Sequence, residues 1–160
     1  MDKFLLQQQV LEQLRADLLQ AEQAAQAAHE TATHEENIAE NKYDTLGLEA
    51  AYLATGQARR ADAIRQAIAT WSQFRPGTYN ATLGIRLGAL VCLVDAEELL
   101  QILFLGPEGG SMKLASGAEY VQVISSATPL GGAMLGKFEG DEVSVQVAQS
   151  RLQFEVLWAL

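Results

Sequence analysis

The chain has 160 residues, 49% hydrophobic and 19% charged, a globular composition that excludes a disordered chain. Its formal net charge is −9 and its pI about 4.6, so phosphate backbones repel it and direct nucleic-acid binding is not expected. One cysteine, Cys92, excludes an internal disulfide and fits a reducing cytosol, and no apolar run reaches the roughly 18–20 residues that a membrane span needs.

Residues 1–19 carry acids and glutamines early, which is not the pattern of a signal peptide, so a cytoplasmic protein is expected. A heptad seam follows: Phe4, Gln7, Leu11, Leu14, Leu18, Ala21, Ala25, Ala28 and Ala32 alternate by three and four. Ala50, Ala54, Gln57, Ala61, Ile64, Ala67 or Ile68, and Trp71 repeat the rhythm. The two seams predict two long helices folded into an antiparallel coiled-coil hairpin over residues 1–75. At a rise of about 1.5 Å per residue, arms of about 30 residues make a rod of roughly 45 Å. Large side chains lie toward the two chain ends of the hairpin, and alanines crowd toward its bend.

The bend falls in Thr33-His34-Glu35-Glu36-Asn37-Ile38-Ala39-Glu40-Asn41. From residue 30 to residue 49 there are six acids (Glu30, Glu35, Glu36, Glu40, Asp44, Glu49) against one base, Lys42. Acids are common at helix N-termini, where they complement the dipole, so a solvated turn accounts for some of them. Their concentration at the far end of a rod also suits delivery of carboxylates to a Mg²⁺ ion, which favours oxygen ligands and often takes only one or two carboxylates. Glu36 and Glu40 are four apart and share a face if that stretch is helical; Glu35 and Asp44 stand in reserve.

Arg75-Pro76-Gly77-Thr78 ends the second helix. Residues 76–160 then read as a small, mostly antiparallel β domain. Strands are expected at 81–87, 89–94, 99–105, 120–124, 143–147 and 152–158, with a turn cluster at Gly106-Pro107-Glu108-Gly109-Gly110. Thr128 and Pro129 open one short helix, as N-cap and first helical residue, and Gly136 stops it.

Other candidate chemistry is sparse. His29 and His34 are five apart, not the spacing of a helical metal pair, and read as surface residues. Arg59, Arg60 and Arg65 form the one basic cluster; such a cluster is commonly a solvated helix face, and here it also offers a contact for an acidic partner or for passing RNA. Cys92 lies in an apolar strand and reads as a core thiol. No phosphate-binding glycine loop, nucleophile elbow or recognisable triad pattern is present.

The stretch Ser126-Ala127-Thr128-Pro129-Leu130-Gly131-Gly132-Ala133-Met134-Leu135-Gly136-Lys137-Phe138-Glu139-Gly140-Asp141 resembles the C-terminal signature of the Gre family of bacterial transcript-cleavage and elongation factors. There, Ser/Thr-Pro opens a short helix ending in Leu-Gly-Lys, followed by Gly-Asp and an alternating strand, here Glu142-Val143-Ser144-Val145. Leu152-Gln153-Phe154-Glu155-Val156-Leu157 is similar to that family's last strand. The resemblance implies an FK506-binding-protein-like fold for residues 76–160. It also implies that RNA polymerase is the partner, and that the hairpin enters its secondary channel. Tip acids then help the polymerase, which is the enzyme, to hold Mg²⁺ while backtracked RNA is cleaved. The family's tip pattern is close to Asp-x-x-Glu-Asn-x-x-Tyr. Aligned on Glu40-Asn41 it puts Asn37 at the first acid and Asp44 at the aromatic; aligned on Glu36-Asn37 it puts Thr33 at the first acid. Neither register supplies both acids.

The reading is therefore an elongation factor that inserts an acid-tipped hairpin and modulates cleavage, with Glu36 and Glu40 as metal ligands shared with the polymerase. A channel-binding relative without cleavage activity fits the same residues. Two rivals come from other classes: a peptidyl-prolyl isomerase, by analogy of fold alone, and a coiled-coil adaptor that dimerises through its helices. A closed intramolecular hairpin predicts a monomer.

Overall fold

In the computed structural model, residues 1–34, 45–108 and 112–160 are described. Two long helices, α1 (Lys3–Thr33) and α2 (Leu46–Gln73), precede six strands and one short helix. These are β1 (Leu90–Asp95), β2 (Leu100–Gly106), β3 (Met112–Ser116), β4 (Glu119–Ser125), α3 (Pro129–Met134), β5 (Glu142–Val147) and β6 (Ser150–Ala159). The expected α+β layout, a long helix pair followed by a small sheet domain with one short helix, is the one found.

Residues 3–33 are rich in Ala, Leu and Gln and contain neither Gly nor Pro, which favours an uninterrupted helix. The Asp2 carboxylate opens α1 by accepting the backbone N–H of Phe4 at 2.8 Å. Glu49 lies in the first turn of α2, where its charge suits the helix dipole, and its carboxylate accepts the Thr45 hydroxyl at 2.9 Å. At the other end of α2, Arg75 donates from Nη1 to the carbonyls of Ser72 and Phe74, both at 2.8 Å, satisfying acceptors that the helix leaves open.

The chain divides into two compact units. One comprises Leu11–Ala69; the other joins Met1–Val10 to Thr70–Leu160. In the Leu11–Ala69 unit the expected seam is the buried one. Leu11, Ala21, Ala28, Ala50 and Ala61 are buried, while Leu14, Leu18, Ala25, Ala54, Gln57 and Ile64 are half-buried. Arg65 of α2 reaches Glu22 of α1 at 2.5 Å, an ion pair between the two helices of this unit. A β-carbon added at Gly56 would meet nothing within 4 Å. Gly56→Ala is therefore expected to stabilise α2 by about 1 kcal/mol through helix propensity alone. A rise in the thermal midpoint checks this, and a fall would mean that the helix needs the flexibility of glycine there.

In the other unit the sheet order is β3-β4-β2-β1-β6-β5. Neighbours are antiparallel except β2 and β4, which pair in parallel with Ile102 opposite Val121. A mostly antiparallel sheet was expected, and the one parallel pair makes it mixed. Alternation along the strands sorts the side chains onto two buried faces. Val91, Leu93, Leu103, Leu105, Val143 and Val156 form one, packed with Ile85 and with Met134 of α3. Leu90, Cys92, Phe104, Leu114, Val121 and Val123 form the other, where the Trp71 ring lies 5.9 Å from that of Phe104.

Three expectations need correction. Residues 81–87 are not a strand. The Asn80 side chain accepts both the N–H and the hydroxyl of Thr82, and its carbonyl accepts Leu83 and Gly84, so the segment closes on itself as a turn. Gly84, at φ +70, completes that turn. Strand β3 was not anticipated; it pairs with β4 through the turn at Gly117, φ +66. Phe4, placed on the seam, is 62% exposed, whereas Leu6 and Val10 are buried. Residues 1–10 belong to the same compact unit as the sheet, and there the buried face of α1 includes Leu6 and Val10 but not Phe4.

Candidate functional site

The preferred metal ligands Glu36 and Glu40, and the reserves Glu35 and Asp44, lie outside the described residues. The acids flanking them are described. Glu30 accepts from the side chain of Gln26 at 2.7 Å, and Glu49 from Thr45. The hydroxyl of Thr33 bonds back to the carbonyl of His29 and that of Thr31 to Ala27, a habit that competes with regular helical bonding at the end of α1. Among the described residues, no three His, Cys, Asp or Glu side chains come together as a metal-binding group.

The basic cluster is divided by its surroundings. Arg65 is held between Glu22 at 2.5 Å and Asp62 at 2.6 Å, and these hydrogen bonds, the one to Glu22 foremost, raise its pKa further. It lies beside His29 and Gln26 in a shallow groove floored by Ala25, Ala54, Ala58 and Ala61. Arg59 and Arg60 are exposed on α2 and enter no ion pair among the described residues.

Sequence reasoning placed Gln7 and Trp71 on one seam but did not foresee how they are joined. The buried amide of Gln7 donates from Nε2 to the carbonyl of Trp71 at 2.6 Å and to that of Phe74 at 2.9 Å. A polar residue amid apolar seam positions was the available signal, since a buried amide must find partners. Gln9 similarly donates to the carbonyl of Ala115 on the edge strand β3. Cys92 is buried, and desolvation pushes its thiol pKa up, as suits an inert core cysteine.

The resembling stretch, 126–141, forms a tightly bonded corner. The Thr128 hydroxyl accepts the N–H of Gly131 at 3.0 Å and donates to the carbonyl of Ser125 at 2.8 Å, capping α3 and tying it to the end of β4. Gly136, at φ +75, follows the helix, and its N–H bonds to the carbonyl of Ile85 at 2.8 Å. The Asp141 carboxylate then accepts the N–H of Phe138. The residues of this motif thus set backbone geometry.

Comparison with known proteins follows the same division of the chain. Residues 84–159 match the family model described as transcription elongation factor, GreA/GreB, C-terminal. Transcription elongation factor GreA of Desulfovibrio desulfuricans is 38% identical over 72 residues, which cover 44% of this chain and 40% of that protein. The match thus spans less than half of that relative's length. Among solved structures, the chain is similar to GreA factor homolog 1 (Gfh1) of Thermus thermophilus, at 20% identity and a TM-score of 0.38, with 94% of each chain covered. It is also similar to Gfh1 of Thermus aquaticus, at 23% identity and a TM-score of 0.37, with 98% of this chain and 92% of that one covered.

Proposed function

We propose, from the match of residues 84–159 to the GreA/GreB C-terminal family model, that the chain is a transcription elongation factor of that family, binds RNA polymerase and acts in the secondary channel. The observation that carries this reading is the coupling of that C-terminal domain to a long antiparallel helix pair whose connecting segment is rich in acids. The sheet unit docks on the polymerase, and the helix pair carries Glu35, Glu36, Glu40 and Asp44 toward the active centre. Glu36 and Glu40 are the residues that would share a Mg²⁺ with the polymerase; such an ion activates water and neutralises charge on a leaving oxygen. The polymerase performs the chemistry on backtracked RNA, and this chain supplies carboxylates. The surroundings are cytoplasmic, and no described helix is long and apolar enough to cross a membrane. The free chain is a monomer whose helices pair with each other.

A second reading is favoured by one specific observation: neither register of the tip supplies both acids of the family pattern. In that reading the chain occupies the channel without stimulating cleavage. One experiment separates the two. RNA cleavage by stalled polymerase is measured with wild type and with Glu36→Gln/Glu40→Gln across a Mg²⁺ series. The amides keep size and hydrogen bonding but lose charge, so stimulation should vanish while polymerase binding persists. Equal stimulation by both proteins would remove the ligand role. No stimulation by either, with binding intact, would establish the non-cleaving reading.

A further inference from the structure

From residue 63 to residue 94 the sequence contains no Asp or Glu, although 20 of its 160 residues are acidic. The structure gathers cations along this acid-free stretch. Residues 75–89 wall a cleft of about 370 Å³, with Arg75 and Arg86 in its lining together with Tyr79, Leu83 and Leu87. Lys3 places its ammonium 2.7 Å from the carbonyl of Gly77, on the cleft wall. The Lys137 carbonyl accepts the N–H of Ile85 at 2.8 Å, which brings that residue beside Gly84 of the lining. None of these four cations enters an ion pair among the described residues. The acids nearest them in sequence are engaged elsewhere: Asp2 with the N–H of Phe4, Asp62 with Arg65, Asp95 with the N–H groups of Glu97 and Leu99, Glu139 with the N–H of Ala159, and Asp141 with that of Phe138. Lys3 is partly desolvated without a carboxylate partner, and burial lowers its pKa. Leu83 and Leu87, on the same wall, are about half exposed at 51% and 44%.

We propose that this cleft is a docking site for an acidic protein segment, one whose carboxylates meet Arg75 and Arg86 while an apolar side chain covers Leu83 and Leu87. The inference rests on the polymerase reading above and names the surface by which the sheet unit would hold that partner. Charge complementarity selects the occupant. In a chain of net charge −9, local cations left unpaired give an acidic partner its favourable approach. A nucleic-acid strand is the poorer fit, because its dense backbone charge meets the chain's overall repulsion and its phosphates have no use for exposed leucines.

The test is binding of labelled chain to purified core RNA polymerase over a salt series. Four proteins are compared: wild type, Arg86→Glu, Arg75→Glu/Arg86→Glu, and a control with the same net charge, Lys113→Glu/Arg151→Glu, whose sites lie on β3 and β6. The cleft pair should weaken binding about tenfold or more at low salt and flatten its salt dependence, with Arg86→Glu intermediate and the control close to wild type. Equal loss in control and cleft variants would reduce the effect to net charge and overturn the proposal, as would unchanged binding by the cleft variants. Failure of wild type itself to bind would sink the polymerase reading and the docking site with it. A parallel titration with a single-stranded oligonucleotide covers the other class of partner. Binding by wild type that the cleft pair abolishes would replace the acidic segment with nucleic acid.

Discussion

Trp71→Ala is expected to lower the stability of the sheet unit by about 3–5 kcal/mol, the usual loss for deleting a fully buried aromatic. Trp71 is 2% exposed. Its ring meets Phe74 edge-on at 5.6 Å and leans on Phe104 at 5.9 Å, and Phe104 is fully buried in the second face of the sheet. Gly106 lies against the six-membered ring so closely that a β-carbon there would overlap it. No small side chain can refill that volume, so the cavity term adds to the transfer term. Domain stabilities are typically about 5–15 kcal/mol, so the loss is at least about a fifth of the total. Trp71→Phe keeps part of the contact and should fall between. Urea titration followed by circular dichroism checks the order, and a Trp71→Ala midpoint equal to that of wild type would mean that the ring is not a structural anchor. Gly106→Ala gives an independent check, since it disturbs the same contact from the opposite side.

Trp71 also shows what was legible in the sequence. Its place on the α2 seam follows from the three-four spacing back to Ala50, and the periodicity marks it as buried. Periodicity does not show that its ring is shared with Phe104, more than thirty residues onward, because partners across a fold leave no local trace. Leu6 and Val10 were missed for the same reason: they sit beside the seam rather than on it, and a heptad count has no place for a second buried direction. The strands with apolar alternation, β1, β2, β5 and β6, were readable. Short β3 was not, because Met112, Leu114 and Ser116 make too brief a pattern beside a glycine-rich turn. Residues 81–87 misled in the opposite sense. Thr82, Leu83 and Ile85 favour strands, but the Asn80 side chain bonds locally and takes the backbone into a turn. At the candidate site, charge was readable and pairing was not. The arginines at 59, 60 and 65 look alike in sequence, yet among the described residues only Arg65 has two carboxylates within 2.6 Å.

Gly131→Ala is expected to cost the same domain several kcal/mol, on the order of 3–5, while the neighbouring Gly132→Ala costs less than about 1. By propensity, two consecutive glycines are a poor choice for a helix, each about 1 kcal/mol worse than Ala. Their presence in α3 needs a reason beyond local preference, and the two positions have different ones. A β-carbon on Gly131 would overlap the backbone carbonyl of Ser125 and lie 2.9 Å from the Thr128 hydroxyl. Neither neighbour can yield easily. The Ser125 carbonyl already accepts the N–H of Thr128 at 3.1 Å and its hydroxyl at 2.8 Å, and Ser125 is buried at the end of β4. Making room therefore means lifting α3 from the sheet, which breaks the cap and exposes Met134, a fully buried side chain. At Gly132 the nearest atom is the Ser126 carbonyl at 3.1 Å, tight but relieved by a shift of a few tenths of an ångström, and the gain in helix propensity offsets part of the strain. The two variants make the same substitution in the same helix, so composition and charge are matched between them. Thermal melting of the two variants in parallel measures it. Equal destabilisation would mean that both glycines serve the same backbone requirement, and a Gly131→Ala protein as stable as wild type would show that α3 is free to move away from β4.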